Sequence, residues 1–212
     1  MGKDTILVFC GHPDDEVIGM GGTLFKYSEE KKEIITVIFT YGEKSTPHIK
    51  EDIITKIRIE ETKKVDKLIG KKSVFLGLKE GSIEENIEKL KIKDKIKELI
   101  NKYKPSKIYT LSASDPHKHH RLVNKVVTEV LEDMKYKNYD LYSYEVWNVV
   151  NENAPKVYIN ITPYFRKKIQ AMKIYRSQRH YIFPLWLPVY ARARMTGIKN
   201  NCKYAEMFYK LK

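Results

Sequence analysis

Two hydrophobic periods alternate along the first two thirds of this chain. Short apolar runs rich in β-branched residues occur at "TILVF" (5–9), "IITVIFT" (34–40), "SVFLG" (73–77), "KIYTLS" (107–112), "LYSYEVW" (141–147) and "KVYINI" (156–161), and they read as strands. Between the early ones lie segments with apolar residues three and four apart: 16–30, 49–69 with Ile53, Ile57, Val65 and Leu68, 84–102 with Ile87, Leu90, Ile96 and Leu99, and 120–135. These read as helices. A strand followed by a helix, four times over, predicts a parallel sheet covered on both faces, because a parallel return needs a crossover and the helix provides it. The later strands can be antiparallel or lie at an edge. The expected fold class is α/β: a Rossmann-like three-layer sandwich with a mostly parallel sheet of order 3-2-1-4-5 or similar.

Nothing divides the 212 residues, which show no repeat, low-complexity tract or Pro/Gly/Ser linker, so one domain over 1–212 is expected. The segment 180–194, "HYIFPLWLPVYARAR", fits neither period, carries two prolines and reads as a long ordered excursion. Its aromatic and apolar residues leave three readings open: core packing or a subunit contact, a rim for sugar stacking, or docking on an anionic membrane. A homo-oligomer is expected.

Two cysteines far apart, Cys10 and Cys202, exclude a disulfide framework and fit a reducing compartment. Acidic residues come too early for a signal peptide, and no apolar run approaches the ~18 residues of a membrane span. The chain reads as cytoplasmic. Met1-Gly2 would suit N-myristoylation, but the sixth position is Ile6 instead of Ser or Thr. The formal charge of +13 raises the question of nucleic acid. Lys63, Lys64, Lys71, Lys89, Lys93, Lys97 and Lys102, however, are interspersed with Glu and Ile at helical spacing, as on solvated helix faces, so nucleic acid is not the expected partner.

Where the first strand ends, "CGHPDDEVIGMGG" (10–22) gathers His12, Asp14, Asp15 and Glu16 ahead of three glycines. An Asp there can simply cap the following helix. That explanation accounts for neither His12 nor Pro13. His12 and Asp15, three apart, are natural ligands for a borderline cation such as zinc, which leaves Asp14 free as a base. Gly19, Gly21 and Gly22 cost helix stability and point to close backbone packing, while their placement does not match a dinucleotide fingerprint.

A second cluster, "SASDPHKHH" (112–120), follows "KIYTLS" and opens another helix, with Asp115 and Pro116 just ahead of His117 and His120. In a doubly wound sheet the ligand crevice lies outside the carboxyl ends of the strands where the order reverses. With the order 3-2-1-4 the first and fourth strands are neighbours, and both clusters project from one edge.

"GHPDDEVIGMGGTL" followed by "DPHKHHRLV" resembles the PIG-L/LmbE-like family of zinc-dependent N-deacetylases, which remove acetyl from N-acetylglucosamine-type substrates. The likeness extends through "TYGEKS" (40–45), "RIEETKKVDKLIG" (58–70), "FLGLKEGSI" (75–83), "AMKIYRSQ" and "YAEMF". The resemblance implies that His12, Asp15 and His120 bind the metal, that Asp14 is the general base, that His117 supports the transition state as electrophile or general acid, and that Arg58 faces the substrate at the mouth of the crevice. Read alone, Arg58 is an ordinary helix-surface charge pairing with Glu61 or Thr62, the commoner outcome for an isolated Arg. Asp115 either orients a zinc-bound His through its second nitrogen or caps the helix. The family usually has Pro-Asp between the two later histidines, where this chain has Lys118 and His119; His119 either competes as a ligand or points to solvent.

The chemistry that follows is hydrolysis of an amide. Two His and one Asp leave a zinc position open for water, whose pKa can fall to roughly 7. The expected cofactor is Zn2+, and the expected partner is a small-molecule N-acetylated amino sugar or glycoconjugate. Two other readings stay open: a metal-dependent amidase on another acylated small molecule, and a basic RNA-binding protein with a degenerate metal site.

Overall fold

The structure is a computed structural model that describes residues 4–46 and 48–212; the myristoylation reading at Met1-Gly2 lies outside the described residues. Strands β1 (Thr5–Cys10), β2 (Glu33–Thr40), β3 (Lys72–Leu78), β4 (Lys107–Leu111), β5 (Asp140–Tyr144), β6 (Lys156–Asn160) and β7 (Ala205–Lys210) form one seven-stranded sheet. Its order is β3-β2-β1-β4-β5-β7-β6. The first five pair in parallel, and β7 runs antiparallel to both β5 and β6.

Helices α1 (Asp15–Glu29), α2 (Glu51–Ile69) and α6 (Phe165–Met172) pack together on one face. Helices α3 (Ile83–Lys89), α4 (Ile92–Tyr103) and α5 (Lys118–Asp133) pack together on the other. The three-layer sandwich read from the alternation is therefore the observed fold. Its centre is β1, where Ile6, Leu7, Val8 and Phe9 are wholly buried; each such side chain contributes roughly 1.5–3 kcal/mol by leaving water.

Helix α1 is kinked at Met20 (φ −138°, ψ 21°). The kink frees amide donors on the second segment, and Glu206 of β7 accepts from Gly22 N–H at 3.1 Å and from Thr23 N–H at 2.8 Å. The glycines on either side let α1 approach closely, as their spacing suggested. A Cβ on Gly19 would lie 2.6 Å from the Glu145 carbonyl oxygen, and one on Gly22 would lie 2.7 Å from the Ile161 side chain.

Three expectations need correction. The segment 84–102 is two helices, α3 and α4, because Lys91 adopts a left-handed conformation (φ 49°) between them. The segment 180–194 is no excursion but the middle of a long helix, α7 (Arg179–Lys199), which packs on β7. Pro184 and Pro188 each remove a helical donor, yet both are exposed, so the carbonyls they orphan can be hydrated. Lys71 is not on a solvated helix face: it is buried at the start of β3 and its ammonium lies 3.2 Å from Glu16 and 2.5 Å from Asp66. No described helix is long and apolar enough to cross a membrane.

Candidate metal centre

β1 and β4 lie side by side, with Leu7 opposite Ile108 and Val8 opposite Tyr109. Both strands end at the same edge, so the segments leaving them, Gly11–Asp15 and Ser112–His120, face each other across one crevice. They line a cavity of about 630 Å³ whose wall includes His12, Asp14, Asp15, Arg58, Glu80 and His120.

His12, Asp15 and His120 each present a donor atom within 4.8 Å of the others, and this trio could hold a metal ion. The trio is pre-formed: Asp15 Oδ2 lies 3.7 Å from His12 Nδ1, and Asp15 Oδ1 lies 3.5 Å from His120 Nε2. Asp15 is fixed from behind by the N–H groups of Gly11 and His12, at 2.9 and 2.8 Å. It therefore looks back toward the strand exit, which is not the geometry of a helix cap. Asp14 makes no side-chain cap bond either. The simple capping explanation of this acidic pair fails.

Asp14 sits in a left-handed conformation (φ 106°), a region that costs a non-glycine residue about 1–3 kcal/mol. Arg58 holds it there. The Arg58 guanidinium donates to Asp14 Oδ2 at 3.1 Å, to the Pro13 carbonyl, and to the Gly42 carbonyl at 3.4 Å. Gly42 is required on two counts, a φ of +69° and a Cβ position that Arg58 already occupies. Arg58 is only 2% exposed. It is thus neither a helix-surface charge nor a residue at the mouth of the crevice; it lies in the cavity wall behind Asp14.

Asp115 is wholly buried and touches both groups that the sequence reading raised, the second nitrogen of His120 and the backbone just before α5, although α5 itself carries no side-chain cap. Its Oδ2 lies 2.9 Å from His120 Nδ1, and its Oδ1 accepts from the His117 N–H at 2.8 Å where α5 begins. Asn148 donates to the same Oδ1 at 2.9 Å. His117 reaches the cavity with a buried Nδ1 that has no partner among the described residues. His119 also faces the cavity instead of solvent, with its Nδ1 3.1 Å from His12 Nε2, and His12, His117 and His119 form a second group able to hold a cation. Glu80, leaving β3, lies 3.0 Å from that same His12 Nε2. Sequence reading missed Glu80 and Asn148, although Glu80 stands at a strand exit on the ligand-bearing edge, as His12 does.

The charged groups of the site act on one another at close range. Burial works against ionised His12, but hydrogen bonds to Asp15 and Glu80 outweigh it and lift the imidazole to about 9. His120, opposed by burial and supported by Asp15 and Asp115, is lifted to about 10. Burial would raise Asp15, yet His120 and His12 hold it well below the usual carboxylate range. Burial raises Asp14 to about 7, with Arg58 pulling down and Asp15 pushing up. Burial, together with the charge on His12 and His117, drops His119 to about 4.

Residues 7–131 match the family model described as PIG-L: GlcNAc-PI de-N-acetylase. The chain belongs to the PIG-L family. Solved structures with low identity share the fold. An N,N'-diacetylchitobiose deacetylase from Pyrococcus horikoshii is 23% identical with a TM-score of 0.85, covering 98% of this chain and 84% of that one. The 4-carboxy-2-hydroxymuconate hydratase of Pseudomonas putida is 17% identical with a TM-score of 0.82, covering 99% and 96%. A deacetylase of teicoplanin biosynthesis is 15% identical with a TM-score of 0.77, covering 97% of each chain. The PIG-L match spans both strand exits and ends inside α5, so His12, Asp14, Asp15, Arg58, Glu80, Asp115, His117 and His120 all fall within it.

Proposed function

We propose that this PIG-L family member is a zinc-dependent N-deacetylase that removes acetyl from an N-acetylglucosamine-type sugar or conjugate, releasing acetate and a free amine. One observation carries the reading: His12, Asp15 and His120 converge beside a buried acid, Asp14, on the wall of a cavity large enough for a sugar. Two imidazoles and a carboxylate are the donors of an open catalytic zinc site, and the carboxylate of Asp115 behind His120 is the support such a ligand needs. When bound, zinc supplies Lewis acidity, which acidifies water and polarises an amide carbonyl.

Each side chain then has a task. Asp14 takes a proton from the attacking water and returns it to the leaving nitrogen as the C–N bond breaks; burial, which favours the protonated carboxyl, helps it hold the proton between the two transfers. Arg58 keeps that carboxylate aimed. His117 stabilises the acetamide oxygen as negative charge grows on it. Trp147 and Tyr181 on the cavity wall offer faces against which a sugar ring can stack. The exposed apolar residues of α7, Phe183, Leu187, Met195 and Ile198, suit contact between copies of a cytoplasmic homo-oligomer.

The test is elemental analysis of the purified protein, then an acetate-release screen over N-acetylglucosamine, its disaccharides and its glycosides with zinc present. Acetate release from one of these, lost on chelation, is the expected result. Because the fold also carries a hydratase, the screen includes 4-carboxy-2-hydroxymuconate. Water addition to that compound with no acetate released from any amide would replace the deacetylase reading.

A further inference from the structure

An imidazole that binds a cation through one nitrogen leaves an N–H on the other, and the acceptor of that N–H sets tautomer and ring orientation. Granted the zinc reading above, on which this inference rests, His120 has its acceptor in Asp115. His12 needs one too. It turns Nδ1 toward Asp15 and Nε2 away from the trio, and 3.0 Å from Nε2 lies Glu80 Oε1.

Glu80 is not a loose surface acid. Its Oε2 accepts the Lys44 N–H at 2.7 Å, and its own N–H donates to Glu43 Oε1 at 2.8 Å. The carboxylate is therefore pinned from the loop after β2 while it leaves β3. The other neighbour of His12 Nε2 is His119, at 3.1 Å. A neutral imidazole accepts more weakly than a carboxylate, and position 119 is where the resemblance leads one to expect an acid.

We propose that Glu80 is the positioning residue for His12: from the β3 exit it holds the Nε2–H and turns Nδ1 to the cation, replacing an acid absent at position 119. The two histidines of the trio then share one design, each with a carboxylate at its far nitrogen, supplied by different loops.

The experiment is zinc affinity, measured on the full chain by competition with a chromogenic chelator and no substrate present, for wild type, Glu80→Gln, Glu80→Asp, His119→Ala, His119→Asp and the Glu80→Gln/His119→Asp double variant. Glu80→Gln should weaken zinc about 10–100-fold, Glu80→Asp less, and His119→Asp should restore most of the loss in the double variant. A role for Glu80 in touching substrate alone would leave zinc affinity unmoved. Three results overturn the proposal: unchanged affinity in Glu80→Gln, a loss in His119→Ala as large as that in Glu80→Gln, or a loss in Glu80→Gln that His119→Asp does not restore, as a merely deformed loop would behave. Wild-type protein that takes up no zinc overturns the metal reading itself, whereas a zinc-binding protein that releases no acetate leaves this inference standing.

Discussion

The Arg58 guanidinium, carried by α2, and the Asp14 carboxylate, at the exit of β1, are 3.1 Å apart in a place that solvent hardly reaches. The contact both steers Asp14 and opposes the rise of its pKa. Removing it in Arg58→Ala lets the carboxyl rise further, so a reaction that needs the ionised form loses rate at neutral pH. The acid limb of the pH–rate profile should move to higher pH. A profile with the wild-type acid limb would separate Arg58 from the ionisation of Asp14.

Asp14→Asn keeps the size of the side chain and deletes its basicity. Zinc content should be retained, since none of the proposed donor atoms is touched, while kcat should fall on the order of a hundredfold or more. Elemental analysis alongside turnover checks both halves, and near-normal turnover would remove Asp14 from the role of base.

In the metal-free protein His12 and His120 titrate at about 9 and about 10. Both are above the ordinary histidine value, so both rings are charged at pH 7 and must lose a proton before a cation can take their place. Zinc uptake at pH 7 should therefore release protons, and apparent affinity should climb as pH approaches 9. Calorimetry in buffers of different ionisation enthalpy counts the protons. The same shifts fix a sign for the metal-free fold: stability from these ion pairs is complete below the unfolded histidine pKa and fades as pH rises through 9 to 10. Melting of chelator-treated protein across that window checks it.

Gly19→Ala sets helix propensity against packing. Propensity favours alanine by about 1 kcal/mol. The new Cβ would stand 2.6 Å from a backbone oxygen of Glu145, which has no rotamer to move. Overpacking of this kind costs about 1–3 kcal/mol, so the variant should show net destabilisation in a urea titration. A gain in midpoint would mean that α1 can shift away from β5.

The centre of the sheet was legible because β1, β2 and β4 are almost wholly buried and so read as apolar runs, with helices of clear period between them. That pattern predicts the neighbourhood of β1 and β4, and from it the meeting of the two His/Asp clusters; the choice of His12, Asp15 and His120 within them came from the resemblance to the PIG-L/LmbE-like family. Elsewhere the signal is thin. α7 buries a narrow stripe, Ile182, Val189, Ala193 and Gly197, partly of small residues, while Phe183, Trp186 and Leu187 are exposed; with two prolines added, its apolar residues define no single face. β7 is antiparallel, and its pairing with β5 and β6 is set by long-range register that no local pattern encodes. Lys91 gives no warning of a helix break, and Lys71 looks like any other lysine until Glu16 and Asp66 surround it. Arg58 was found, but its depth was not, because burial of a guanidinium depends on what two separate loops, those after β1 and β2, place around it.

If the proposed trio holds the ion, the side-by-side docking of β1 and β4 ties cation capture to the completeness of folding. A partly assembled chain in which β1 has formed but β4 has not yet joined it owns two of the three donors and lacks the imidazole from α5. Tight retention of the ion would then serve as a built-in sensor of maturation, filled only in molecules whose opposite halves have closed on one another.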